Sequence, residues 1–124
     1  MNKCEKCGVI PNPGCLCTGG YKADQDKPDL SLLSPIAIMK IGAVMQLGKK
    51  KYSAHNWRAG MSWSRCLAAA LRHIFSYLGG EDKDPETGLS HLAHAGCCIL
   101  FLLEYEDTHP ELDDRYKGNK NANN

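Results

Sequence analysis

Apolar residues recur along this chain at helical spacing, and no stretch alternates in the period-two manner of a half-buried strand. The first clear start is Ser34-Pro35, an N-cap serine followed by a proline at the first helical position, where a missing N–H costs nothing. A helix is predicted over 35–47. Its apolar positions Ile36, Ile38, Ile41, Ala43, Met45 and Leu47 nearly encircle it, so it is expected to be mostly buried, with Gly48 as its stop. Lys49, Lys50 and Lys51 then suit the negative end of the helix dipole. Residues 52–60 lack helical periodicity and read as a loop. Ser62 or Ser64 begins a second helix through Leu78, with Leu67, Leu71, Ile74 and Leu78 on one stripe and Arg65 and Arg72 opposite. Gly79-Gly80 ends it. After a polar loop, Ser90 caps a third helix from His91 to about Tyr105, apolar on most sides and predicted to be central. His109-Pro110 closes this region and 110–116 forms one more turn. Three helices with so little polar surface complete a core only with a fourth helix or a second copy of the chain. The fold class expected is therefore all-α: a small helical bundle completed by homo-oligomerisation.

Residues 1–26 differ in kind. Glycine and proline interrupt them too often for a regular element, yet they hold Cys4-Glu5-Lys6-Cys7 and Cys15-Leu16-Cys17. Four thiolates so spaced can close a tetrahedral Zn2+ shell at Cys4, Cys7, Cys15 and Cys17, and the metal would supply the folding free energy that so small a head lacks. A redox pair or a flexible thiol-rich tail are the other readings. The domain scheme is thus a zinc head over 1–26, a helical domain over 27–116 and a disordered tail over 117–124.

Composition narrows the function. The chain has 124 residues, enough for one domain, and its 15 Lys+Arg against 14 Asp+Glu leave a formal charge of +1. Nucleic acid is therefore not expected as a partner, and phosphate recognition has to be local. The run 95–103 is about half of the roughly 20 residues that a membrane span needs. With no apolar signal segment at the start, a soluble protein of the cytoplasm is expected. Seven cysteines, an odd number, fit metal or reduced thiols better than a closed set of disulfides.

Candidate chemistry is densest over 81–94, where Glu81, Asp82, Asp84 and Glu86 are followed by His91 and His94. Glu81 and Asp84 are three apart and can converge on a cation. His91 and His94 are also three apart, so both imidazoles leave one face of the third helix's first turn. Carboxylates favour Mg2+ or Mn2+, and imidazoles shift the balance toward Mn2+, Zn2+ or another transition metal. A solvated acidic loop with two half-buried capping histidines is the plainer alternative. Lys50, Lys51, Arg58, Arg65 and Arg72 offer forks and point charges for phosphate, although arginines on a polar face are commonly just solvated. Tyr52, Trp57 and Trp63 can stack on a base, but an aromatic in a small protein is more often core.

The blocks Lys51-Tyr52, Asn56-Trp57-Arg58, Leu71-Arg72-His73 and the run 80–95 resemble, in order and spacing, the N-terminal domain family of the phage dATP/dGTP diphosphohydrolases, over about residues 28–107. The resemblance implies a phage-encoded, MazG-like hydrolase located in the host cytoplasm. Such an enzyme converts a purine deoxynucleoside triphosphate to its monophosphate and pyrophosphate with Mg2+ or Mn2+. It further implies Glu81, Asp84, His91 and His94 as catalytic residues. Glu81, Asp84, Glu86, His91 and His94 become metal ligands, and Lys51, Asn56, Trp57, Arg58, Arg72 and His73 line the substrate pocket. A non-catalytic zinc-bearing protein that binds nucleic acid or a replication partner is the alternative from another class. A phosphomonoesterase with a histidine–aspartate metal site is a third.

Overall fold

The computed structural model describes residues 22–118, which fall into two units divided between Leu33 and Ser34. The thiols of Cys4, Cys7, Cys15 and Cys17 and most of the tail lie outside the described residues. In the first unit the described structure is a 3-10 turn, Leu30–Leu32, capped by the Asp29 carboxylate, which accepts from the Ser31 N–H at 3.0 Å.

The second unit is built from three helices: α1 (Pro35–Lys51), α2 (Trp63–Leu78) and α3 (His91–Thr108). Among the described residues there is no strand, only one isolated antiparallel bridge between Lys83 and Ser90. Nor is any helix among them long and apolar enough to cross a membrane. The Ser34 hydroxyl accepts from the Ala37 N–H at 3.2 Å and the Ser90 side chain from Leu92 N at 3.1 Å, so the two predicted caps form. At α2 the N-cap residue is Ser62, but its side chain caps nothing. The Asp114 carboxylate does so instead, accepting from the Ser64 N–H (2.8 Å) and hydroxyl (2.6 Å). A negative group is favourable at a helix N-terminus, so the segment after α3 is tied to the start of α2.

Two expectations need correction. Gly48 does not stop α1, which runs on to Lys51 with the Tyr52 N–H bonded to the Gly48 carbonyl at 2.9 Å. A helical glycine costs only about 1 kcal/mol, which the lysines at the helix C-terminus help to offset. Nor is α1 mostly buried: none of its residues is, and Ile36 and Met39 stand largely in solvent. It touches α3 along a single seam. There Gly96 leaves room for Ile41, whose Cδ1 lies 3.0 Å from where a Cβ would stand, and the Cys97 thiol meets the Met45 sulfur at 3.3 Å. The stripe of Leu67, Leu71, Ile74 and Leu78 shares one face as the periodicity indicates, but that face is not the one packed into the core. The buried residues of α2 are Trp63, Cys66 and Ala70, one step around the helix, while the stripe stays exposed, Leu78 to 80%. Periodicity marks both rows as apolar; two small side chains in one row let α2 approach its neighbour closely.

The core joins these parts around Trp57, Trp63, Cys66 and Tyr105. Trp57 belongs to a 3-10 turn, Asn56–Ala59, inside the predicted loop, and stacks on Phe101 with ring centroids 4.5 Å apart and 13° between planes. Tyr105 is fully buried and its hydroxyl donates to the Trp57 carbonyl. Burial, with Cys66 nearby, pushes that phenol up to about 12. The indole N–H of Trp63 donates to the His109 carbonyl at 3.1 Å.

Two predictions arise here. Gly60 has φ +105°, and a Cβ on it would lie 2.6 Å from Leu112 Cδ1 and 3.2 Å from His109 Cε1. Gly60→Ala is therefore expected to destabilise the fold by about 1–3 kcal/mol in denaturant unfolding, since the backbone conformation penalises a side chain wherever Leu112 moves. His109 faces acceptors with both ring nitrogens, Glu111 Oε2 at 2.9 Å and the Arg58 carbonyl at 2.8 Å, which raises its pKa above the usual histidine value. A raised pKa means that this cation adds stability below about 6.5, the unfolded value, and that the contribution disappears as pH rises through the folded value. The Tm difference between wild type and His109→Gln is expected to be larger at pH 6 than at pH 9; an equal or reversed gap would contradict the assignment.

Candidate active site

The end of α2 is closed by the Gly79 N–H on the Phe75 carbonyl and by Glu81 N on the Ser76 carbonyl, 3.0 Å each, with Gly80 at φ +102° turning the chain back. The loop that follows is ordered by its own polar groups. Asp84 N donates to the Leu89 carbonyl (2.8 Å), Gly88 N to the Asp84 carbonyl (2.7 Å) and His91 N to the Asp82 carbonyl (3.0 Å). One oxygen of Asp84, Oδ1, accepts from Glu86 N at 2.7 Å in an Asx turn, while Oδ2 faces His73. Burial pushes this carboxyl up, but the backbone N–H groups of Glu86 and Thr87 and the imidazoles of His94 and His73 outweigh it and hold the carboxyl below its ordinary value.

Three imidazoles gather beside that carboxylate. His91, buried at the first position of α3, puts Nδ1 at 2.9 Å from His73 Nδ1 on α2 and Nε2 at 2.6 Å from Glu81 Oε1. His73 Nδ1 is 3.8 Å from Asp84 Oδ2. His94, one turn along α3, stacks on His73 with centroids 4.5 Å apart, and its Nε2 lies 2.8 Å from the Thr87 hydroxyl. Burial, then the neighbouring imidazoles, lowers the pKa of His73; burial likewise leads the lowering at His94, against the pull of Asp84. Both rings are therefore biased toward the neutral form that a metal needs.

His73, Asp84 and His91 each offer one ligand atom, and these atoms all lie within 4.8 Å of one another. Of the residues predicted as ligands, Asp84 and His91 thus come together, and His73, predicted to line the substrate pocket, joins them. Glu81 meets His91 from the ring's other nitrogen. His94 is engaged with Thr87. Glu86 has its backbone on Asp84 and lines the adjoining cleft. No local spacing could have paired His73 with His91, because the contact exists only once α2 packs on α3.

An open cleft of about 1260 Å3 adjoins the cluster, and His73, Asp84, Glu86, Thr87 and His94 form one part of its wall. Lys49, Lys50, Lys51, Arg65 and Arg72 line it elsewhere. Among the described residues neither Arg65 nor Arg72 takes part in an ion pair. Arg58 is already engaged: its Nη1 donates to both Glu104 oxygens at 3.0 Å, its Nε to His55 Nδ1 at 2.9 Å, and its guanidinium lies 4.6 Å over the Trp57 ring. Asn56 and Trp57 also line the cleft, Trp57 with only 9% of its surface exposed.

Residues 18–115 match the family described as "dATP/dGTP diphosphohydrolase, N-terminal". The chain belongs to that family. The matched span includes the whole cleft and cluster, and Cys4, Cys7, Cys15 and Cys17 precede it. Over 96 residues the chain is 38% identical to the "dATP/dGTP diphosphohydrolase" of Salmonella phage PMBT28, a match that covers 77% of this chain. It covers 33% of the phage protein, so this family member spans about a third of the length of that relative. No solved structure matches.

Proposed function

We propose that this chain hydrolyses a purine deoxynucleoside triphosphate, dATP or dGTP, to the monophosphate and pyrophosphate. The observation that carries the reading is the composition of one cleft: cationic groups that pair with no carboxylate among the described residues, Arg65 and Arg72 with Lys49 to Lys51, and a carboxylate and imidazole cluster beside them. A triphosphate needs cations along its oxygens and a site for a divalent ion, and a short protein surface seldom offers both. The family membership and the phage relative's name support the same substrate class.

In this reading Arg65, Arg72 and the lysines bind and orient the phosphates, and Asp84 is the central anionic holder of Mg2+ or Mn2+. When bound, the ion supplies charge neutralisation at phosphate oxygens and acidifies water. His94, kept toward its neutral form and held by Thr87, is suited to accept the proton of the attacking water. Trp57 and Phe101 form an apolar wall. Zn2+ on Cys4, Cys7, Cys15 and Cys17 remains part of the proposal, on their spacing, with a structural role.

A second copy of the chain completes the bundle in this proposal. Its support is the row Leu67, Leu71, Ile74, Phe75 and Leu78 exposed along α2, next to the face that already packs. Light scattering should give a multimer mass that Leu71→Glu reduces; a monomer for the unaltered chain at micromolar concentration would reject it.

The test of the activity is to incubate the purified chain with each of the eight common nucleoside triphosphates and Mg2+, Mn2+ or Co2+, and to identify the products. Pyrophosphate with dAMP or dGMP supports the proposal. Release of inorganic phosphate alone, or no turnover of any nucleotide, overturns it.

A further inference from the structure

Glu81 and Asp84 look equivalent in the sequence, but the fold gives them different partners. The Glu81 carboxylate accepts hydrogen bonds only, so His91 Nε2, 2.6 Å away, carries the proton that joins them. In the neutral ring this leaves Nδ1 of His91 with its lone pair, aimed at His73 Nδ1 at 2.9 Å, with a carboxylate oxygen of Asp84 within 4.8 Å of the cluster's ring nitrogens. Carboxylate, imidazole and a second ring nitrogen with its lone pair, in sequence, form the usual support of a metal-ligating histidine, in which the carboxylate fixes ring orientation and tautomer from outside the coordination shell.

We propose that His73, Asp84 and His91 are the protein ligands of a first-row transition-metal dication, and that Glu81 is a positioning residue acting through His91. The inference deepens the metal-dependent reading above, narrowing its Mg2+ or Mn2+ to a transition-metal ion such as Mn2+, and rests on it only for the use of the site in hydrolysis. Spacing fits such an ion. With bonds of about 2.1 Å, adjacent ligand atoms stand about 3.0 Å apart at right angles and about 3.4 Å apart at the tetrahedral angle. The two ring nitrogens are 2.9 Å apart, while Asp84, 3.8 Å from His73 Nδ1 and within 4.8 Å of the His91 ligand nitrogen, has to draw in by a side-chain adjustment. The donor set also selects the metal. Two imidazoles and one carboxylate suit Mn2+, Co2+ or Zn2+, whereas Mg2+ favours oxygen donors and gives up its waters reluctantly. His73 and Asp84 line the cleft, so an ion held by them would be reachable from it.

The probe is Mn2+ alone, followed by the loss of its free-ion electron paramagnetic resonance signal on titration into the full chain; thiolates bind it poorly, so a cysteine-bound metal does not obscure the result. One Mn2+ per chain is expected. One equivalent of Zn2+ beyond what the four thiolates of the cysteine head take up should displace it, and a hundredfold excess of Mg2+ should not. His73→Ala, Asp84→Ala and His91→Ala should each abolish the binding. Glu81→Ala should weaken it by about 10–100-fold and Glu81→Gln, which keeps an acceptor for His91, should restore most of it. Because a histidine variant can lose its fold, the unaltered chain gives a second reading: substoichiometric Mn2+ should broaden the imidazole proton resonances of His73 and His91 before those of His55 and His109. No Mn2+ binding, displacement by Mg2+ at equal concentration, loss of affinity as severe in Glu81→Gln as in Asp84→Ala, or uniform broadening of all histidines overturns the proposal. Nucleotide assays on the same samples separate the two claims. Binding as described without turnover leaves the site standing and removes hydrolysis, while turnover with Mg2+ in a chain that binds no Mn2+ does the reverse.

Discussion

Asp84→Asn is expected to lower nucleotide turnover about a thousandfold or more while leaving the helices intact. The carboxylate divides its labour: Oδ1 holds the turn through Glu86 N, and Oδ2 faces His73 at 3.8 Å. An asparagine keeps an oxygen for the Glu86 N–H, so the loop survives, but it replaces the other oxygen by an amide that cannot hold a cation. Losing several kcal/mol of transition-state charge stabilisation, at about 1.4 kcal/mol per tenfold, gives a deficit of that size. Pyrophosphate release read beside far-ultraviolet circular dichroism checks it. Turnover within a few-fold of wild type, with the spectrum unchanged, would remove Asp84 from the reaction.

Trp57→Ala should cost about 3–5 kcal/mol of folding stability, the range for truncating a large buried aromatic. The indole stacks on Phe101, lies under the Arg58 guanidinium and shares the core with Trp63 and Tyr105, and its backbone carbonyl receives the Tyr105 hydroxyl. Against a total of about 5–15 kcal/mol for a domain, that loss would leave much of the protein unfolded at physiological temperature. Denaturant unfolding at several temperatures measures it, with Trp57→Phe as the milder comparison. A variant of normal stability whose only defect is a raised KM would show that the ring serves substrate more than the core.

The two expected results separate residues that the sequence presents alike. Trp57 and Asp84 both belong to the blocks that carry the family resemblance, and in sequence both read as site residues. In the fold one is a structural wall with 9% of its surface exposed, and the other is held by backbone hydrogen bonds with an oxygen to spare. Arg58 is a similar case. Its guanidinium looks available for phosphate until Glu104 and His55, from α3 and the preceding turn, are seen to engage it.

What the sequence determined by itself is local. Ser34-Pro35, Ser90 and Gly79-Gly80 set helix starts and a stop because caps and breakers act through the few residues beside them. The acidic loop and the spacing of His91 and His94 were legible for the same reason. Only the tertiary structure decided which row of α2 packs, since the leucine row and the Trp63, Cys66 and Ala70 row are both apolar and close packing favours the smaller side chains. It also decided that His73 meets His91 across 18 residues of chain, and that Glu81 and Asp84 face different atoms. Those relations depend on where two helices touch, and helix periodicity sets which residues share a face without setting what that face will meet.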